Sequence, residues 1–260
     1  MLPQHERAIA RAKERLLHQA DVLAILVGGS VARKTCQEDS DVDLIAVVTD
    51  EGWKERKDRH DLAFVWRDVC DYKGGYVDGK FLPRSFILEA AERGSEPTRH
   101  AFIGAFAVHC VDSLIEQAIP RIPVYPEQER QHRIKSFLAQ MQVNRGFFWN
   151  QAKFYNDLYL KLRAASDIVL FGGRLILAHN RILFPCQKWL MKYVASAPGK
   201  PANMVELANQ FLGDLTDESK EAFCNAVINF ADWDKSKLLG RFIEDAEWSW
   251  FTRSYAVAEW

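Results

Sequence analysis

The strongest constraint on this chain lies between Leu26 and Val47, in the stretch LVGGSVARKTCQEDSDVDLIAV. An apolar strand, Val22 to Val27, stops at Gly28-Gly29-Ser30. A second, Asp43 to Val48, follows Ser40-Asp41-Val42. Side chains alternate along a strand, so Asp41 and Asp43 fall on one face. Carboxylates held that close repel each other unless a cation lies between them. The Gly-Gly-Ser turn offers backbone N–H groups to an anion, with no Cβ in the way. A phosphate cradle beside metal-binding carboxylates is equipment for moving a phosphoryl or nucleotidyl group.

Each residue type has a reason to be there. Gly28, Gly29 and Ser30 form the cradle, and the Ser40 hydroxyl stands at its other rim as a second donor to phosphate oxygens. Arg33 and Lys34 follow the turn and can neutralise phosphate charge, Arg33 in bidentate fashion. The carboxylates suit a hard cation such as Mg²⁺, with Mn²⁺ as a substitute. A third acid completes such a site, and Asp78 in Gly75–Leu82 (GYVDGKFL) is the best candidate. A charge in the middle of a short alternating strand is costly unless it meets a cation. Asp61 and Asp68 flank a strand, where turn and cap roles are the default, and Asp71 is the remaining competitor. The expected metal ligands are Asp41, Asp43 and Asp78. If the first two hold the metal, Asp78 can take the proton from an acceptor hydroxyl or amine.

The 260 residues are 48% hydrophobic, enough for a substantial core. A net charge of −1 argues against a broad nucleic-acid footprint. Five scattered cysteines without a CxxC pair indicate a reducing compartment and no structural zinc. The N-terminal stretch is charged rather than apolar, and the apolar run Ile168–Leu177 is broken by Gly172-Gly173-Arg174, so no membrane span fits. A cytoplasmic protein is expected.

Periodicity predicts a helix over 4–19, strands over 22–27, 43–48, 62–66, 76–82 and 105–109, and a helix over 84–93 stopped by Gly94. Pro120, Pro123 and Pro126 then mark a hinge (PRIPVYP). Beyond it the pattern is helical: a stripe of Ile134, Phe137, Leu138, Met141 and Phe148, then helices over 158–171, 182–194, 204–212, 220–230 and 237–253. This divides the chain into an α/β domain, 1–124, and a helical bundle, 125–260, in an α+β fold class. His109 and His179 are expected to pack or cap, and Cys186 to be a small core residue. Trp248, Trp250, Phe251, Tyr255 and Trp260 are expected to pack against the bundle, with an acceptor pocket or a dimer contact as alternatives.

Gly-Gly-Ser followed by Ser-Asp-Val-Asp-Leu resembles the nucleotidyltransferase superfamily typified by DNA polymerase β. The layout is similar to that of the aminoglycoside nucleotidyltransferases. KGGYVDGKFL, ERGSEPTRHAF, RIPVYPE and GGRLILAHNRILFPCQKWL resemble an uncharacterised bacterial group within that superfamily. The resemblance implies a small mixed sheet with flanking helices and a Gly-Ser turn holding nucleotide phosphates. It also implies two strand acids and a third holding metal, and a helical domain that closes over the nucleotide. Arg174, Asn180, Arg181 and Lys188 are candidates from that domain; Lys188 is favoured for the β/γ-phosphates, with Arg181 on the same helical face. Many small members have glycine where Lys34 stands.

The expected activity is metal-dependent transfer of a nucleoside monophosphate to a hydroxyl-type acceptor, with pyrophosphate released. ATP is the default donor by resemblance, and other nucleoside triphosphates stay open. A small-molecule acceptor is expected; an RNA end fits the near-neutral charge less well. The alternatives are a protein-modifying nucleotidyltransferase and a non-catalytic nucleotide-binding or toxin–antitoxin partner with the same fold. The oligomeric state is open, a dimer included.

Overall fold

The computed structural model describes residues 1–252 and Val257. The chain divides into two compact units, Met1–Val124 and Tyr125–Trp260.

The first unit opens with helix α1 (Pro3–Leu17), with Pro3 in its first turn, where a missing N–H costs nothing. Strand β1 (Val22–Val27) leads into the single helical turn α2 (Gly29–Ala32) and then β2 (Val42–Val48). Helix α3 (Asp50–Asp58) is capped by Thr49, whose side chain accepts from Gly52 N. Strands β3 (Ala63–Trp66) and β4 (Val77–Pro83) follow, then α4 (Arg84–Arg93) and α5 (Glu96–Ala101). Strand β5 (Phe106–Cys110) and α6 (Ser113–Ala118) complete the unit.

The sheet runs β3-β4-β2-β1-β5 and is mixed. Strand β1 is antiparallel to both β2 and β5, β3 is antiparallel to β4, and β2 and β4 are parallel. Alternation sorts β2 onto two faces. Val42, Leu44, Ala46 and Val48 pack with Ala8, Ile9, Ala12 and Leu16 of α1. Ile45 and Val47 pack with Ile87 and Ala90 of α4 and with Ile115 and Ala118 of α6. Asp43 belongs to this second face, at the end of β2 where the apolar cluster stops.

The second unit is helical: α7 (Arg130–Val143), a π-turn (Asn144–Phe148), α8 (Trp149–Phe154), α9 (Leu158–His179), α10 (Leu190–Ser196), α11 (Met204–Asp214), α12 (Asp217–Ile228), α13 (Leu238–Ala246) and α14 (Ser249–Thr252). Its core gathers Phe137, Trp149, Leu175, Phe211 and Phe223. Among the described residues, no helix is long and apolar enough to cross a membrane.

The helical half departs from the periodicity reading in three places. The expected helix over 158–171 continues to His179 through Gly172-Gly173. Close packing explains it: a Cβ on Gly172 would lie 2.9 Å from Phe223, and one on Gly173 2.8 Å from Leu190. The expected helix over 182–194 is not continuous. Arg181 turns left-handed (φ +56°), and helical structure resumes only as a 3-10 turn at Gln187–Trp189. Pro185 lacks a donor and keeps Phe184 out of the helical region. The expected helix over 237–253 is split into α13 and α14, with Arg253 outside the described residues.

Candidate active site

The site is built on the parallel pair β2 and β4. Asp43 stands directly beside Asp78 in the register, and Ile45 beside Lys80. Across the antiparallel pair, Val65 opposes Asp78 and Ala63 opposes Lys80. Period-two alternation extends this pattern by one residue, putting Asp41, Tyr76 and Arg67 in line on the same face. Proximity bears the extension out: the Asp41 carboxylate raises the pKa of the Tyr76 hydroxyl, and the Arg67 guanidinium lies 5.1 Å from the Tyr76 ring centroid. One face thus carries Asp41–Tyr76–Arg67, then Asp43–Asp78–Val65, then Ile45–Lys80–Ala63.

On the other side of Asp43 lies the glycine turn. Gly28 N donates to Asp43 O at 2.9 Å. Gly29 has φ +61°, and a Cβ there would lie 1.5 Å from Asp43 Oδ2. Glycine is required twice over, by the left-handed backbone and by the carboxylate against it. The Ser30 Oγ is buried with no hydrogen-bond partner among the described residues, a donor available to an incoming oxygen. Arg33 caps the short helix α2, and Lys34 next to it is left-handed (φ +59°), the conformation that glycine adopts without strain.

The loop back to the acids is pinned at Ser40. Its Oγ accepts from Gln37 N at 2.8 Å, and its carbonyl accepts from the Tyr72 hydroxyl at 2.8 Å. Ser40 therefore shapes the turn before Asp41; its own hydroxyl proton stays available to a ligand. The Tyr72 ring is held edge-on by the buried His5, with centroids 5.4 Å apart.

Electrostatics mark the centre. Burial pushes the Asp43 carboxyl above its ordinary range, and the charges of Asp41 and Asp78 push it further; Arg33 and Lys80 pull the other way. Asp41 and Asp43 are half-buried, and Asp78 is exposed. Among the described residues, no three His, Cys, Asp or Glu side chains gather into a metal-holding cluster. The three carboxylates sense one another without converging on one point. Their oxygen chemistry and mutual repulsion fit a hard divalent cation. The competing acids are engaged elsewhere, Asp68 with Arg15 and Asp71 with Arg7 and Arg11. Asp61 is exposed beyond α3.

Sequence reasoning missed His100. It is buried on α5, and burial plus the nearby Arg33 charge lower its pKa to about 4. No spacing rule ties it to the glycine turn; only the chain's return over Arg33 does, with Gly104 so close that a Cβ would lie 3.5 Å from Arg33 Cα.

In the helical unit, Lys188 is exposed on the 3-10 turn, its ammonium 5.1 Å from the Trp189 ring centroid. Arg181 pairs with Glu127 outside any helix, so the shared helical face expected for Arg181 and Lys188 does not exist. Arg174 is fully buried between the rings of Phe137 and Phe184, at 4.3 and 4.2 Å, which removes it from any surface role. The Asn180 amide is engaged with the carbonyls of Ile176 and Gly199. His179 meets Phe230 and Trp233 edge-on and lines a cavity of about 460 Å³ with Arg130, His132 and Lys135. Trp248, Trp250 and Phe251 are more than half exposed instead of packed, because the short α14 buries no residue. Tyr255 and Trp260 lie outside the described residues.

The glycine-turn strand and the acid-bearing strand thus lie side by side in one mixed sheet. Residues 9–85 match the family model of the nucleotidyltransferase domain. No curated protein matches the chain. Among solved structures, a nucleotidyltransferase-like protein from Exiguobacterium sibiricum 255-15 is similar at 13% identity and a TM-score of 0.44, over 92% of this chain and 76% of that one.

Proposed function

We propose that the protein is a metal-dependent nucleotidyltransferase that moves a nucleoside monophosphate, by default AMP from ATP, onto a hydroxyl of a small molecule. The observation that carries this reading is the Asp43–Asp78 register pair set against the Gly29 turn. Asp41 and Asp43 would hold Mg²⁺, which when bound offsets phosphate charge and polarises the α-phosphate. The backbone of Gly28 and Gly29, the Ser30 and Ser40 hydroxyls and the Arg33 guanidinium would orient the triphosphate.

Asp78 takes the proton. It is exposed and lies beside Asp43 rather than in a closed three-acid cluster, which favours a base over a ligand. The acceptor oxygen forms a bond to the α-phosphorus, the α–β bridging bond breaks, and its electron pair leaves with pyrophosphate. The acceptor's proton ends on the Asp78 carboxylate.

The test is a thermal-shift screen of the four nucleoside triphosphates with Mg²⁺ or Mn²⁺, followed by pyrophosphate release against hydroxyl acceptors. A metal-dependent shift that Asp43→Asn removes, with Asp78→Asn binding nucleotide but releasing no pyrophosphate, is the expected pattern. The absence of a shift with any nucleotide would refute the reading.

A further inference from the structure

The face that carries Asp78 also carries two cations that the proposed chemistry leaves unused. Lys80 is two residues along β4, on the same side and about 6.6 Å away at the strand repeat. Both are exposed while Val77, Gly79 and Phe81 between and beside them are buried. Arg67 lies at the other end, in line with Tyr76, and Val65 stands between them on β3, 58% exposed. Gly79 between them faces the opposite, buried side, where a Cβ would lie 2.0 Å from Phe64, whose ring stacks on Trp66 with centroids 4.1 Å apart.

Arg7, Arg15, Arg56 and Arg84 are each matched to an aspartate. Among the described residues, Lys80 and Arg67 make no salt bridge, although Lys80 lies close enough for its charge to act on Asp43. Exposed cations that make no salt bridge, on either side of a candidate base, suit an anionic ligand. The glycine turn lies on the opposite side of Asp43, so the β3–β4 side is left to the acceptor.

We propose that Lys80, helped by Arg67, selects an acceptor that carries a phosphate or carboxylate group about 6–7 Å from the hydroxyl presented to Asp78. The inference rests on the nucleotidyltransferase reading above and narrows its acceptor from any hydroxyl compound to an anionic one. A polycationic acceptor is disfavoured at this ledge.

The test footprints Lys80 by acetylation with sulfo-NHS acetate, read by mass spectrometry on the full chain, with Lys54 as the control. Mg²⁺ and α,β-methylene-ATP, which cannot transfer its nucleotidyl group, occupy the donor site, and thermal shift verifies their binding. Glycerol 3-phosphate is the anionic probe, glycerol the neutral one and kanamycin the cationic one. At ten times its half-effect concentration, glycerol 3-phosphate should cut Lys80 labelling to about a tenth, leaving Lys54 unchanged. Glycerol and kanamycin should do neither, and Arg67→Gln should weaken the protection. In turnover, Lys80→Gln should raise the KM for glycerol 3-phosphate about tenfold, a loss of ~1.4 kcal/mol, with the KM for ATP unchanged.

Protection by the nucleotide analogue alone would assign Lys80 to the donor phosphates and overturn the proposal. Equal labelling with all three probes, while the analogue still binds, would overturn it and leave the parent reading intact. Failure of the analogue to bind would remove both.

Discussion

Gly29→Ala tests the geometry on which the site depends. Its φ of +61° places an L-residue in the left-handed region, which costs roughly 1–2 kcal/mol. Reduced freedom of the unfolded chain returns about 0.4–1 kcal/mol of that. The new methyl would also lie 1.5 Å from Asp43 Oδ2 and 2.4 Å from its Cγ, so the carboxylate must rotate away. An off-rotamer side chain costs about 0.5–1.5 kcal/mol. The expected total is roughly 2 kcal/mol, about half of it due to Asp43. A double-mutant cycle separates the two parts. In an Asp43→Ala background only a 2.9 Å contact with the Asp43 Cβ remains, and the Gly29→Ala penalty should fall by about 1 kcal/mol. Native-state hydrogen exchange at β1 and β2 reads the local free energy, which avoids assuming that two units unfold together. Gly29→Ala should also abolish nucleotide-dependent stabilisation. An undiminished penalty in the Asp43→Ala background would refute the close approach, and a penalty under ~0.5 kcal/mol in both backgrounds would refute the left-handed turn.

Three further outcomes are expected. Asp43 has its folded-state pKa raised by burial and by Asp41 and Asp78, so its stabilising share is present below the unfolded carboxyl value and is lost as pH rises through the folded one. Asp43→Asn should therefore be more stable than the parent at neutral pH without metal, measured by urea unfolding across pH 4–8, and a less stable variant would contradict the repulsion. His100 runs the other way: its folded pKa of about 4 lies below the ordinary 6.5. Stability should thus fall as pH drops from 6.5 toward 4, by at most roughly 3 kcal/mol, a limb that His100→Gln should flatten in the same series. In α9, Gly173→Ala gains ~1 kcal/mol of helix propensity but brings a methyl to 2.8 Å from Leu190. A net loss of thermal stability is expected, relieved by Leu190→Ala, and a net gain would show that Leu190 moves aside freely.

Local rules made much of the first unit readable. Strand alternation and the glycine stops locate β1, β2, β4 and α4 to within a residue or two, because each depends on neighbours in sequence. Helices α3, α5 and α6 were not anticipated; they are short, and their apolar faces are too small for a periodic signal. In the second unit, Gly172-Gly173 looked like an interruption because propensity counts against glycine, whereas packing against Phe223 and Leu190 demands it. Arg174 looked like a surface cation, yet its charge lies between two buried rings.

The glycine turn and the placement of Asp41 and Asp43 on one strand face follow from the sequence itself, because turn chemistry and period-two alternation act within a few residues. Which distant acid joins them is a matter of register: Asp78 stands beside Asp43 only because β4 pairs parallel to β2. The same pairing lines up Lys80, Val65 and Arg67, and the return of the chain through α5 sets His100 by Arg33. Those relations join residues separated by tens of positions, and no local preference encodes them. Only the paired sheet and its packed layers bring them onto one face.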